Sequence, residues 1–156
     1  MYQDNHYRYE LNILRNGIGS DIMDSIINSY PCEYDYEFVG FINIYAPLEH
    51  IIPYDVTVVD LGCAAALQAY YFRNHAGYIG VDISQSPRYE IPSCEHYVAS
   101  IEKYIDSLTI NDQNKVFAIC SYVPCEHELY DMIRSKFNNY RIYYPDTINV
   151  LQMNFS

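Results

Sequence analysis

Asp60-Leu61-Gly62-Cys63 follows the β-branched run Val56-Thr57-Val58-Val59, and Asp82 ends the next apolar run, Tyr78-Ile79-Gly80-Val81. A glycine at a strand-to-helix turn lets the backbone approach a ligand closely. An acid about 20 positions further on, ending the second strand, can accept hydrogen bonds from two ribose hydroxyls. Together they supply what a nucleoside-containing ligand requires.

Other chemistry-bearing groups are less ordered. Cys94-Glu95-His96 and Cys125-Glu126-His127 repeat a C-x-H unit, and four such ligands could hold zinc. The first unit precedes the expected third strand and the second follows the fourth, at opposite edges of a parallel sheet. No metal site is therefore expected. Cys120 and Cys125 with His127 offer a thiol and a base, but their spacing does not demand that chemistry, and Cys120 reads as core.

The elements that must position these groups alternate. Val56–Val59 is a short buried-type strand. Ala64–His75 is expected to be helical, with Leu67, Tyr70, Tyr71 and Asn74 at helical spacing. Further strands are expected at Tyr78–Val81, Tyr97–Val98, Lys115–Cys120 and Tyr140–Tyr144, with helices near Ile101–Leu108 and Glu126–Phe137. The tail Thr147–Phe155 alternates weakly, as one last strand. Before the core, Ser20 or Asp21 caps a helical stripe of Ile22, Met23, Ile26 and Ile27 that Pro31 ends. A second stripe runs from Tyr34 to Tyr45, and Pro47 and Pro53 punctuate the link to the first strand. Strands alternating with helices imply βαβ units and a parallel sheet with right-handed crossovers. Ligands of such sheets sit beyond the carboxyl ends of the strands. That edge gathers Gly62–Ala66, Asp82–Ser84, Ser100 and Ser121–Cys125.

Here the sequence resembles the class I S-adenosylmethionine-dependent methyltransferases, over about residues 55–145. Their first motif commonly reads D-L-G-C-G-x-G; this chain has Asp60-Leu61-Gly62-Cys63-Ala64-Ala65-Ala66. The acid and first glycine match, while Ala64 and Ala66 stand where the family has glycine. Tyr78-Ile79-Gly80-Val81-Asp82-Ile83 matches the second motif. The resemblance implies S-adenosylmethionine as cofactor, held by Asp60, Gly62, Cys63, Ala64, Asp82, Ile83, Ser100 and Ser121. Gly62 would line its methionine end and Asp82 its ribose; Ser100 stands where the family often has an Asp facing the adenine. Tyr122, Glu126 and His127 are substrate-side candidates. Methyl transfer from a sulfonium needs alignment more than acid–base help, so no catalytic base is assigned. Each alanine adds a Cβ where close approach is wanted, and the Ala triplet favours an earlier helix start. The alternative is a retained fold that serves as a binding or interaction module. A dinucleotide reading wants G-x-G-x-x-G, and this register gives Gly62, Ala64 and Leu67.

The expected fold class is α/β: a three-layer sandwich with a mainly parallel, Rossmann-like methyltransferase sheet and N-terminal helices. Residues 1–54 form a helical extension packed on the core and 55–156 the core itself, one compact domain overall. Only eleven residues follow Pro145, so truncation of the sheet is expected at that edge. The formal charge is −11, from nine Lys+Arg against twenty Asp+Glu. The basic residues are scattered, with a mild cluster from Arg134 to Arg141, so direct nucleic-acid binding is disfavoured. A small-molecule or protein substrate is expected. The N-terminal helices, residues 20–46, pack on the sheet or, as the alternatives, cover the site as a lid or form a homodimer interface. Nineteen tyrosines and no tryptophan supply amphipathic rings for core edges and ligand walls. No apolar run approaches the roughly 20 residues of a membrane span. Five unclustered cysteines and a polar N-terminus lead to the expectation of a cytoplasmic protein with reduced thiols.

Overall fold

The computed structural model describes Tyr45, residues 47–63, 66–83, 93–121, Val123, residues 127–144 and the backbone of 151–154. The helices expected over residues 20–44 lie outside the described residues.

Among the described residues six strands form one sheet: β1 (Thr57–Leu61), β2 (Gly77–Asp82), β3 (Cys94–Val98), β4 (Val116–Ser121), β5 (Tyr140–Tyr143) and β6 (Leu151–Asn154). Their order is β3-β2-β1-β4-β5-β6. The first five strands run parallel, and β6 pairs antiparallel with β5. Strands β1, β4 and β5 are buried on both faces, which suits the apolar run of β4, while β1 and β5 each bury one charged side chain, Asp60 and Arg141. Strand β3 is more polar and lies at the sheet edge, as its sequence Cys-Glu-His-Tyr-Val suits.

Side chains alternate between two layers. On one face Val59, Leu61, Val81, Ala118, Cys120 and Ile142 pack with Ile101, Ile105, Leu129, Ile133 and Phe137. Those partners come from helix α1 (Ile101–Ser107), helix α2 (His127–Lys136) and the residue directly after α2. On the other face Tyr78 stacks on Phe72 at 5.8 Å, and Phe72 meets Tyr45 edge-on at 6.3 Å. Leu48 and Ile52 are buried too. The strand order and the helical layers define a Rossmann-like α/β fold, the class expected from the sequence.

Three local expectations are corrected. The helix expected over Ala64–His75 is, in its described part, a 3-10 turn at Leu67–Phe72. Ala66, with φ +58°, precedes it. A left-handed residue cannot continue into a right-handed helix, so the turn starts late rather than early. Cys94–His96 lie within β3 rather than before it, paired with β2 through Cys94↔Tyr78 and His96↔Gly80. Pro47 lies in a helical stretch, Tyr45 and 47–51, instead of closing one. The chain leaves that stretch at Ile52, whose N–H donates to Leu48 O at 3.0 Å, and Pro53 comes next.

Candidate functional site

Register sets the geometry. Leu61 pairs with Val81 on one side and Cys120 on the other. Gly62, Asp82 and Ser121 therefore stand together at the carboxyl edge of the sheet, and Ala99 N donates to Asp82 O at 3.0 Å. Strand order reverses between β1 and β4, the place where such sheets bind ligands.

Asp60 lies beneath this edge and is fully buried. Tyr78 Oη donates to its Oδ2 at 2.7 Å, and Gln68 Nε2 donates to the same oxygen at 2.8 Å. Tyr45 Oη donates to Oδ1 at 3.3 Å and stands 2.9 Å from Ser121 Oγ. The tyrosine has one proton to give; Ser121, a hydroxyl, can take either role. Burial outweighs these donors and pushes the Asp60 carboxyl up to about 6. Asp60, expected among the cofactor-facing residues, is enclosed by three donors of its own chain. Gln68 also donates to Cys63 O at 3.0 Å, so one buried amide ties the loop after β1 to the carboxylate below it. Burial pushes the Cys63 thiol far up, with Asp60 adding to the effect. A thiol held protonated in this way is a poor nucleophile.

The start of the segment after β1 is bonded to β2. Gly62 has φ +81°, a conformation suited to glycine. Its N–H and that of Cys63 both donate to Val81 O, at 2.7 and 3.0 Å. A Cβ on Gly62 would collide with Val123 Cγ2, so Val123 rests directly on the glycine. Val123 is tethered in turn: Tyr130 Oη of α2 donates to its carbonyl at 3.0 Å. The Tyr130 ring is flanked by Tyr144 at 4.7 Å and by His127 at 6.3 Å.

The β2–β3 side is more open. Asp82 is half-buried, Ile83 is 78% exposed and Val98 is 58% exposed. Ser100 caps α1, its Oγ accepting from Lys103 N at 3.2 Å. That bond uses an acceptor lone pair and leaves the hydroxyl proton available. Behind them, a Cβ on Gly80 would meet Cys63 Sγ at 2.8 Å and His96 Nδ1 at 2.9 Å. Glycine there lets the loop and the edge strand close on β2. Burial lowers the His96 imidazole, which favours its neutral form.

Of the residues singled out in the sequence, Gly62, Cys63, Asp82, Ile83, Ser100 and Ser121 gather at this edge. Ala64, Ser84, Tyr122, Cys125 and Glu126 lie outside the described residues. His127 is exposed at the start of α2 and Cys120 is core. Among the described residues no group of three or more His, Cys, Asp or Glu side chains could hold a metal ion. No described helix is long and apolar enough to cross a membrane. The donors Tyr45, Gln68 and Tyr78 carry no pattern that singles them out in the sequence. Only the chain's excess of tyrosine hints at such a role.

No family model matches the chain, and no curated protein matches it. Among solved structures it is similar to a proposed methyltransferase from Streptococcus mutans, in complex with SAH. The TM-score is 0.44 and the identity 11%, over 61% of this chain and 64% of that one. The chain thus spans less than two thirds of that protein's length. Its own strand order and register, independent of that likeness, make it a Rossmann-like α/β protein.

Proposed function

We propose that the chain binds S-adenosylmethionine and transfers its methyl group to a small molecule or a protein. The observation that carries this reading is the half-buried residue Asp82 at the end of β2, beside exposed Ile83. A carboxylate there suits a ribose diol, and a bare apolar side chain next to it suits a purine face. Ser100 keeps a hydroxyl proton for a ring nitrogen. The nucleoside end of the cofactor fits these residues. When bound, the cofactor would supply an electrophilic methyl on a sulfonium. The chain's contribution would be to hold and align it.

Val123 on Gly62, and two loop amides turned to Val81 O, favour a second reading. In it the fold serves as a binding module without transfer. Isothermal titration with S-adenosylhomocysteine tests the first reading. The wild type is expected to bind, and Asp82→Ala to weaken binding by about 10- to 100-fold, the loss of charge-assisted hydrogen bonds. No heat from the wild type at millimolar ligand would sink the cofactor reading and leave the fold intact.

A further inference from the structure

We infer that Val123 is a specificity-determining residue, setting how much of a ligand beyond its nucleoside the site accommodates. The inference rests on the cofactor reading above. In a doubly wound sheet the ligand crevice opens where strand order reverses, here between the carboxyl ends of β1 and β4. Gly62 follows β1 directly, and Val123 lies just beyond Ser121, the end of β4.

The two meet without a gap. Val123 Cγ2 fills the place that a Gly62 Cβ would need, and Ile101 Cδ1 stands 3.9 Å from that place. The space that a Cβ-less residue would offer to a ligand is taken by an aliphatic side chain of the same protein. The polar approach is taken as well, because Gly62 N–H and Cys63 N–H both point to Val81 O. The valine is also anchored, by the hydrogen bond from Tyr130 Oη to its carbonyl oxygen at 3.0 Å. Tyr130 is buried, and its ring is packed against Tyr144.

The β2–β3 side differs. Ile83 and Val98 are exposed beside Asp82. A nucleoside can settle there without disturbing Val123. Any group that extends from the ribose toward Gly62 must push Val123 away, uncovering its methyls and straining the Tyr130 bond. Affinity for the extension is thus reduced by the valine, while affinity for the nucleoside is not.

The test is a titration of the full chain with adenosine and, separately, with S-adenosylhomocysteine, which is adenosine carrying the thioether extension. Wild type, Val123→Ala, Val123→Ile, Tyr130→Phe and Asp82→Ala are compared. Val123→Ala is expected to improve S-adenosylhomocysteine binding about tenfold and to leave adenosine binding within about twofold. Tyr130→Phe should shift the preference the same way, less strongly, and Val123→Ile the opposite way. Asp82→Ala should weaken both ligands. If both ligands bind in an Asp82-dependent manner but their ratio is the same in all Val123 and Tyr130 variants, the inference is wrong and the cofactor reading survives. If neither ligand binds wild type or Val123→Ala, the cofactor reading falls, and the inference with it.

Discussion

At the scale of residues, the buried carboxylate of Asp60 decides more than its motif suggests. In the sequence it is the acid of a loop motif and groups with the cofactor-facing residues. In the structure Tyr45, Gln68 and Tyr78 enclose it, with Asp82 and Cys63 near enough to bear on it electrostatically. The acid and Gly62 are legible because the loop motif fixes residue type and spacing. The donors are not, since Tyr45 and Tyr78 come from distant segments and Gln68 carries no pattern of its own. The Asp60 carboxyl moves from 3.8 to about 6 on folding. The folded state therefore holds its proton more tightly than the unfolded chain. Its stabilising contribution is full below the unfolded value and is lost as pH rises through about 6. The difference corresponds to on the order of 3 kcal/mol. Tyr78→Phe removes one donor and should cost about 1–3 kcal/mol at neutral pH, where the carboxylate is charged. Near pH 4 the group is protonated and the cost should shrink. Urea unfolding of both proteins at the two pH values measures this. An equal cost at both would mean that the Tyr78 hydroxyl does not act through the charge on Asp60.

At the scale of elements, strands and helices differ in how well they can be read. Strands β1 and β4 are clear because a sheet covered on both faces favours apolar, β-branched residues, even though β1 also buries Asp60. The element after β1 departs from its expected helix because alanine propensity is a weak prior. Here tertiary ties prevail: the Gln68 amide bridges Cys63 O and Asp60, and Ala66 takes a left-handed conformation. Ala66 takes a φ of +58°, a backbone conformation that glycine adopts more readily than alanine. Helix α1 is simpler, since Ser100 satisfies Lys103 N as an N-cap. Ser100→Ala should lower stability by about 1 kcal/mol, and Ser100→Asp should preserve it. Thermal unfolding without ligand reads this directly. No loss in the alanine variant would show that the cap is dispensable and shift the weight of Ser100 toward ligand binding.

At the scale of the whole molecule, the sheet order is legible from alternating elements, whereas the closure of the β1–β4 crevice is not. That closure depends on a side chain meeting a glycine 61 positions away, Val123 on Gly62, and no local pattern encodes such a contact. Charge, by contrast, is a global property that the sequence states outright. A net −11 repels itself in the compact state. The mild basic cluster does little to offset it as a patch. Arg134 pairs with Asp131 and reaches Tyr144, Lys136 donates to Leu108 O, and Arg141 donates to Tyr143 Oη. These cations are engaged in local bonds. The ion pair of Lys115 with Asp55 is exposed and open to screening. Added salt therefore has two opposed effects: it weakens such pairs and relieves the general repulsion. With twenty acidic residues against nine basic ones, relief should prevail. Raising sodium chloride from about 0.02 to about 0.3 M shortens the Debye length from about 20 Å to about 6 Å. The thermal midpoint should then rise by about 2–4 °C, as expected for about 1 kcal/mol at this chain length. A scan in sodium chloride, rather than sulfate, keeps the general exclusion effects of kosmotropic salts out of the comparison. A midpoint that falls with salt would mean that specific ion pairs, and not the acidic excess, dominate the electrostatics of the fold.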